Sequence, residues 1–313
     1  MTRYSYSVFL TLLVAFTLLS PLRAHAQPPP GDAPPPPADA SQPPPDPAPA
    51  AAAQAAEGED DDAKLRPLEP DFTVINLPTT LPLPFKTAGN FHLTHRFVGV
   101  NYAKDDFNTI AENLFGLDGP AIIQLEYRIA VMRHLEAIVA RTNFERTIQF
   151  SAKYDWLHEG THAPFGLSIL ASVEGGNNFH AHNANDLDIG YSPGFGVVVS
   201  RTLGTFANLY VDPIWVHNTA ADGNPDRQDT FYVGLGARIR IIPSLFVVGE
   251  YSPRASGYKP GNGEFAFSIE KRVGGHVFSL VFANTQATTF AQIARGGNPE
   301  TLYIGFNLAR KFY

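Results

Sequence analysis

The stretch TLYIGFNLARKFY, residues 301–313, decides the fold class. Apolar residues occupy every second position from Leu302 to Phe312, interrupted only by Arg310, and polar residues such as Asn307 fall between them. A period of two is typical of a β-strand with one apolar and one polar face. A soluble protein rarely exposes such a strand as an edge, whereas a closed barrel has no free edge. The stretch therefore favours a membrane β-barrel.

The same alternation recurs through residues 71–313. In TIQFSAKYDWL, residues 147–157, and in DTFYVGLGARIRI, residues 229–241, one face is apolar and the other polar, which places Phe150 and Leu235 on the apolar face. The pattern predicts about twelve strands, within a range of ten to fourteen, and little helix. These strands are expected near residues 90–102, 121–130, 135–142, 147–157, 164–174, 193–201, 206–216, 229–241, 245–252, 263–272, 276–284 and 300–312.

The predicted connections alternate in length. Long polar connections, such as 103–120 and 175–192, alternate with short ones, such as 131–134 and 242–244, and the tight connection at 143–146 is the exception. Membrane barrels carry long loops outside the cell and short turns in the periplasm. The sequence thus predicts an all-β, transmembrane, antiparallel up-and-down barrel in the bacterial outer membrane, with the N-terminal leader and the C-terminus in the periplasm. A soluble secreted β-sandwich also alternates and stays open as an alternative.

Two segments precede the predicted barrel. Residues 1–26 combine Arg3, a 12-residue apolar run and the Ala24-His25-Ala26 site, and we expect them to form a signal peptide. Residues 27–70 hold fourteen prolines and no aromatic residue, so we expect a disordered, Pro/Ala-rich acidic periplasmic linker. The simpler interpretation of this linker is a solvated spacer. The more specific hypothesis is a tether to the cell wall or to a periplasmic partner.

Composition excludes some function classes. The sequence contains no cysteine, which rules out disulfides and thiol catalysis. Its net charge of −7 resides mainly in the linker, where nine acidic residues face two basic ones. No basic patch is present, so nucleic acid is not an expected partner. No cofactor is predicted.

Several segments of the sequence resemble those of known bacterial membrane proteins. The order of Tyr303, Gly305, Phe306, Leu308 and Phe312 resembles the signal by which the barrel assembly machinery recognises bacterial outer-membrane proteins, although Tyr313 departs from a strict final Phe. The segments NFHLTHRF, NLFGLDGPAIIQLEYRIAVMRHLEA, TIQFSAKYD and TLYIGFNLARKF are similar to a bacterial family described as a membrane-bound beta-barrel domain. The resemblance covers about 71–313 and implies a fold in contact with outer-membrane lipid, but no reaction.

Candidate catalytic and metal sites in the sequence are weak. His180 and His182 could share a face in a long loop, and they are the only metal candidates. Ser279, His276 and Asn284 suggest the serine, histidine and asparagine of a barrel lipase, but Ser279 and His276 differ in strand parity. A barrel enzyme of lipase or protease type therefore ranks below a non-enzyme.

The predicted inner face carries both charge signs. A narrow channel for small solutes or ions is the preferred function. Twelve strands enclose a lumen between that of the filled eight-stranded type and that of the open porins, so size does not decide whether the lumen is open or filled. The main alternative is a closed structural or binding barrel in which these charges pair across the lumen. The predicted lumen-lining residues are Glu126, Arg128, Lys153, Asp155, Arg238, Arg240, Glu264 and Glu270.

Overall fold

A computed structural model of the chain describes residues 74–83, 85, 89–160, 163–176, 191–220 and 229–312. The predicted signal peptide and linker lie outside these ranges, and so do the candidate ligands His180 and His182. Among the described residues, no helix is long and apolar enough to cross a membrane.

The described residues form a closed antiparallel barrel of twelve long strands, which confirms the predicted fold class. Each long strand pairs with the next one along the chain, and β1 closes the ring by pairing with both β3 and β14. Two short strands lie outside the ring, where β2 pairs with β14 and β11 with β9. The strands are β1 Gly89–Arg96, β2 Val100–Asn101, β3 Ile122–Met132, β4 Leu135–Thr142, β5 Thr147–Leu157, β6 Gly166–Gly176, β7 Tyr191–Leu203, β8 Ala207–Val216, β9 Thr230–Ile242, β10 Leu245–Ser252, β11 Arg254–Ser256, β12 Glu264–Val273, β13 His276–Ala283 and β14 Thr301–Phe312.

Burial alternates along the strands as the period of two requires. In β5 the polar residues Gln149, Ser151 and Lys153 are buried, whereas Phe150 is 57% exposed. Leu235 on β9 is likewise exposed. The barrel is thus polar inside and apolar outside, the reverse of a soluble protein.

The two ends of the barrel differ. Short turns, such as the one between β9 and β10, lie at the same end as the paired residues Gly89 and Phe312. The longer loops lie at the opposite end and contain the helices α1 (Phe107–Glu112) and α2 (Phe290–Ala294). Both helices are too short to leave a clear 3.6-residue pattern, which is why the sequence did not predict them.

One local difference from the predicted elements has a simple cause. The first strand was expected over 90–102, but β1 ends at Arg96 and pairing resumes only in β2. Residues 97–99 between them lie outside both strands, and alternation alone cannot detect such a break.

In the following loop, Asp106 caps α1 by accepting a hydrogen bond of 2.8 Å from the Thr109 N–H, which lowers the pKa of the Asp106 carboxyl.

Candidate functional site: the barrel lumen

The structure buries most of the residues that the sequence placed in the lumen. Seven of the eight are buried, and Arg240 is half-buried near the short-turn end of β9. Each of the seven occupies a position of inward parity on its strand. The buried seven are Glu126, Arg128, Lys153, Asp155, Arg238, Glu264 and Glu270.

These charges form separate local pairs rather than one site. Arg128 pairs with Glu126 on the same strand, and Arg238 reaches Glu270 at 2.5 Å across β10. The Arg238 guanidinium also lies 3.5 Å from the centroid of the Phe246 ring, a cation–π contact. Glu264 instead binds a segment that enters the lumen. An unpaired buried charge is costly, so removing one member of such a pair would destabilise the barrel wall.

Residues 74–83, which we call the lumen segment, fill the middle of the barrel. Val74, Ile75, Asn76 and Leu77 are each no more than 5% exposed, although no strand of the barrel contains them. The Val74 N–H donates to the Leu77 carbonyl at 3.0 Å, so the chain reverses direction at this point. Val74 also lines a small cavity with Glu270 and Ser279 of the wall. The lumen segment therefore begins with a turn at residues 74–77, which lies inside the barrel and precedes β1.

The turn at residues 74–77 is bound through its backbone. The Glu250 carboxylate of β10 accepts hydrogen bonds from the N–H groups of Ile75, Asn76 and Leu77, at 2.9, 2.8 and 3.1 Å. The side-chain amide of Asn307 donates to the Ile75 carbonyl at 3.1 Å. One carboxylate thus satisfies three consecutive backbone donors, which would be costly to bury unpaired.

Asn76 is the residue of this turn that the wall contacts through a polar side chain. Its amide nitrogen donates to Glu264 at 2.8 Å, and its amide oxygen accepts from Arg96 at 3.3 Å. Arg96 also donates to Asn307 at 2.8 Å. Residues from β1 and β12 therefore meet at the Asn76 side chain, and Arg96 links this contact to β14.

Residues 79–83 run along the opposite wall. The Lys153 ammonium donates to the carbonyls of Thr79 and Leu81, at 2.8 and 2.6 Å. The Thr80 hydroxyl lies 2.5 Å from the Ser200 hydroxyl, and Glu136 accepts from the N–H of Leu83. Strands β4, β5 and β7 hold these residues, so the lumen segment bridges the width of the barrel.

The loop between β13 and β14, residues 284–300, folds into the end with the longer loops. All five residues of α2 are buried. The buried Glu174 carboxylate of β6 accepts from the Thr289 hydroxyl, the Ala291 N–H and the Gln149 amide, at 2.5, 3.0 and 2.9 Å. Arg295 donates to the Thr219 carbonyl at 2.8 Å. This loop and the lumen segment together occupy the interior of the described barrel.

Neither the catalytic nor the metal hypothesis gains support from the geometry. Ser279 faces the lumen, whereas His276 faces outward and contacts Arg310, so the two cannot act together. Within the described ranges, no group of three or more histidine and carboxylate side chains is arranged to hold a metal ion. Near the short turns, the Asp155 carboxylate lies 3.4 Å from Nδ1 of His134 and 3.7 Å from Nδ1 of His158.

Two residues that line or enter the lumen were not predicted from the sequence. Glu250 has inward parity in LFVVGEYS and could have been included with the other lumen charges by the same rule. Asn76 could not have been predicted in this way, because VINLPTT has no period that marks it as strand or helix. The indication that this segment enters the barrel was the presence of apolar residues soon after the Pro-rich linker.

Known structures give distant likenesses. The KdgM porin matches with a TM-score of 0.46 and 6% identity, over 71% of this chain and 99% of that chain. The outer membrane phospholipase A from Escherichia coli matches with a TM-score of 0.45 and 12% identity, over 73% and 93%. The outer membrane protein Omp33 from Acinetobacter baumannii matches with a TM-score of 0.41 and 9% identity, over 72% and 98%.

Sequence comparison is more specific. No curated protein matches the chain. The family described as a membrane bound beta barrel domain, DUF5777, matches residues 71–312, which include every strand of the barrel. The chain therefore belongs to this family of membrane-bound β-barrels.

Proposed function

We propose that the protein is an outer-membrane channel for small solutes that its own lumen segment closes. The observation that carries the proposal is that a separate piece of chain fills a polar lumen. Among the described strands, none pairs with the lumen segment in the barrel sheet, so the segment can leave without breaking the barrel's own ladder of backbone hydrogen bonds. A barrel of twelve strands whose interior was not filled in this way would leave room for a narrow aqueous passage.

The proposed orientation follows from the two ends of the barrel. The short turns, Gly89 and Phe312 share one end, which by the usual rule faces the periplasm. The linker 27–70 would then lie in the periplasm, where a cell-wall or periplasmic partner could reach it. Contact with the barrel assembly machinery through Tyr303 to Phe312 remains part of the same proposal.

A closed structural barrel is the second candidate, and apolar packing favours it. Val74, Ile75 and Leu77 belong to the same buried cluster as wall residues such as Leu170 and Val198. Burying three such side chains stabilises the inserted state by several kcal/mol, at about 1.5–3 kcal/mol each. Withdrawal of the segment must overcome this contribution as well as the hydrogen bonds.

Conductance across a planar lipid bilayer distinguishes the two candidates. In one variant, ten Gly and Ser residues replace residues 74–83. The channel proposal expects sustained conductance steps from this variant and rare steps from the native protein. A closed structural barrel predicts no steps from either protein.

A disulfide supplies a reversible control. The hydroxyl oxygens of Thr80 and Ser200 are 2.5 Å apart, close to the ~2.05 Å of an S–S bond. Because the sequence has no cysteine, Thr80→Cys and Ser200→Cys can pair only with each other within one chain. Oxidation should abolish the residual steps of the full-length protein, and reduction should restore them. The single variant Ser200→Cys should not respond to oxidation.

A further inference from the structure

The wall contacts of the lumen segment have the form of a ligand-binding site. Glu250 accepts three consecutive backbone N–H groups, and Lys153 donates to two backbone carbonyls. Asn307 donates to a third carbonyl. These groups recognise backbone atoms of a turn, which a peptide of another sequence can also present, rather than the side chains of this particular segment.

We propose that the lumen is a binding site for short peptides and that the lumen segment occupies it as an internal ligand. The inference rests on the proposed function, because a peptide can enter only when the lumen segment has withdrawn. It adds a solute class to that function. The residues assigned to the site are Glu250, Asn307, Lys153 and Glu264.

Polar groups that the lumen segment leaves unpaired are consistent with an external ligand. Asp212 is fully buried, and neither oxygen of its carboxylate has a hydrogen-bond partner among the described residues. It pairs across the ladder with Gly234, against which the Leu77 side chain packs. The Tyr232 hydroxyl, two residues from Gly234, is also buried without a partner in the described structure. Unpaired groups of this kind are rare in folded proteins, and a ligand with polar side chains would satisfy them.

The charge arrangement also favours a peptide over a simple anion or cation. The Glu250 carboxylate on β10 and the Lys153 ammonium on β5 contact different parts of the lumen segment, and each is matched to the opposite partial charge of the backbone. An anion bound to Lys153 would lie near the buried Glu136 carboxylate, which is 3.8 Å from the Lys153 ammonium and would repel it. A peptide backbone carries both N–H donors and carbonyl acceptors, so it can bind the Glu250 carboxylate and the Lys153 ammonium at the same time.

Direct binding of a synthetic peptide tests the inference. The probe is a fluorescently labelled VINLPTTLPL, the sequence of residues 74–83, and the protein is the Gly/Ser-replaced variant in detergent. Fluorescence anisotropy should show saturable binding. The same peptide with N-methyl groups on its second, third and fourth residues lacks the three donors that Glu250 accepts, and it should bind at least about tenfold more weakly.

Two wall variants locate the site. Glu250→Gln should weaken binding by about tenfold or more, because a neutral amide replaces the carboxylate. Glu126→Gln is the matched control, because Glu126 is a buried wall carboxylate that pairs with Arg128 and is not bonded to the lumen segment. It should leave the affinity unchanged. Equal binding by the N-methylated peptide, or equal loss in both variants, would overturn the inference.

The conductance of the same variant separates this inference from the proposed function. Steps without peptide binding would support a channel and reject the peptide site. Binding without steps would support the site in a barrel that does not conduct. If the replaced variant does not fold, a photo-crosslinking peptide at about millimolar concentration can be added to the full-length Thr80→Cys, Ser200→Cys protein, where it competes with a tethered segment. Crosslinking only after reduction supports the inference, and absence of crosslinking in both states rejects it.

Discussion

At the scale of single residues, neighbouring positions on one strand have opposite surroundings. Phe150 is exposed on the apolar outer face, whereas Gln149 and Ser151 on either side of it are buried in the polar interior. Such a difference between adjacent residues arises from the alternating direction of side chains along a strand. The facing of each residue is thus a local property that one substitution can test.

Phe150→Arg should hinder membrane assembly. A charge on the lipid face near the midplane costs about 2–4 kcal/mol. Urea titration of the protein refolded into lipid vesicles measures this loss of unfolding free energy. Phe150→Leu is the control and should change the free energy much less. Equal stability of the two variants would show that Phe150 does not face lipid.

At the scale of elements, the loop 284–300 depends on one carboxylate of a distant strand. Glu174 on β6 holds Thr289 and Ala291 at the start of α2. Arg295 of the same loop is half-buried and donates to the Thr219 carbonyl. Without Glu174, the hydroxyl and the backbone N–H would be buried without an acceptor, at a cost of about 1–3 kcal/mol each.

Glu174→Ala should therefore release this loop while the barrel stays closed. We expect trypsin to cleave after Arg295 much faster in the variant than in the native protein. Lys104, exposed in the loop between β1 and β3, is an internal reference for protease activity. Glu112→Ala, at an exposed glutamate of α1, is the matched control. Protection of Arg295 in the Glu174 variant would contradict this role of the carboxylate.

At the scale of the whole molecule, the barrel closes where its first and last strands meet. Gly305 on β14 pairs with Arg96 on β1. A Cβ atom on Gly305 would lie 2.2 Å from the His95 carbonyl oxygen, which is backbone and cannot move aside without shifting the strand. The seam that closes the barrel thus requires a residue without a side chain at this position.

Gly305→Ala should weaken closure by about 1–3 kcal/mol, the usual cost of overpacking. Closed barrels migrate differently on a denaturing gel before and after heating, and the temperature of this shift should fall. Gly249→Ala is the control, because nothing lies within 4 Å of a Cβ atom built there on β10. Similar shift temperatures for the two variants would mean that the seam tolerates a methyl group.

The resemblance to the family and the strand number followed from sequence because both are encoded locally. Alternation from Leu302 to Phe312 and in the other strands indicates which residues face outward, and the lengths of the connections indicate which end carries the turns. The alternation along the strands also predicted eight lumen-lining residues, and the structure buries seven of them. These predictions required no knowledge of which strand lies opposite which.

Only the tertiary structure decided what the lumen contains. The partner of Arg238 is Glu270 on β12, and β10 separates the two strands, so no local pattern connects them. The lumen segment is held by residues of strands β1, β4, β5, β7, β10, β12 and β14. The sequence of the lumen segment has no regular period, and the segment's conformation arises from contacts with residues as far as 232 positions away. A local pattern determines the barrel wall, whereas long-range hydrogen bonds and packing determine whether its interior is open or filled.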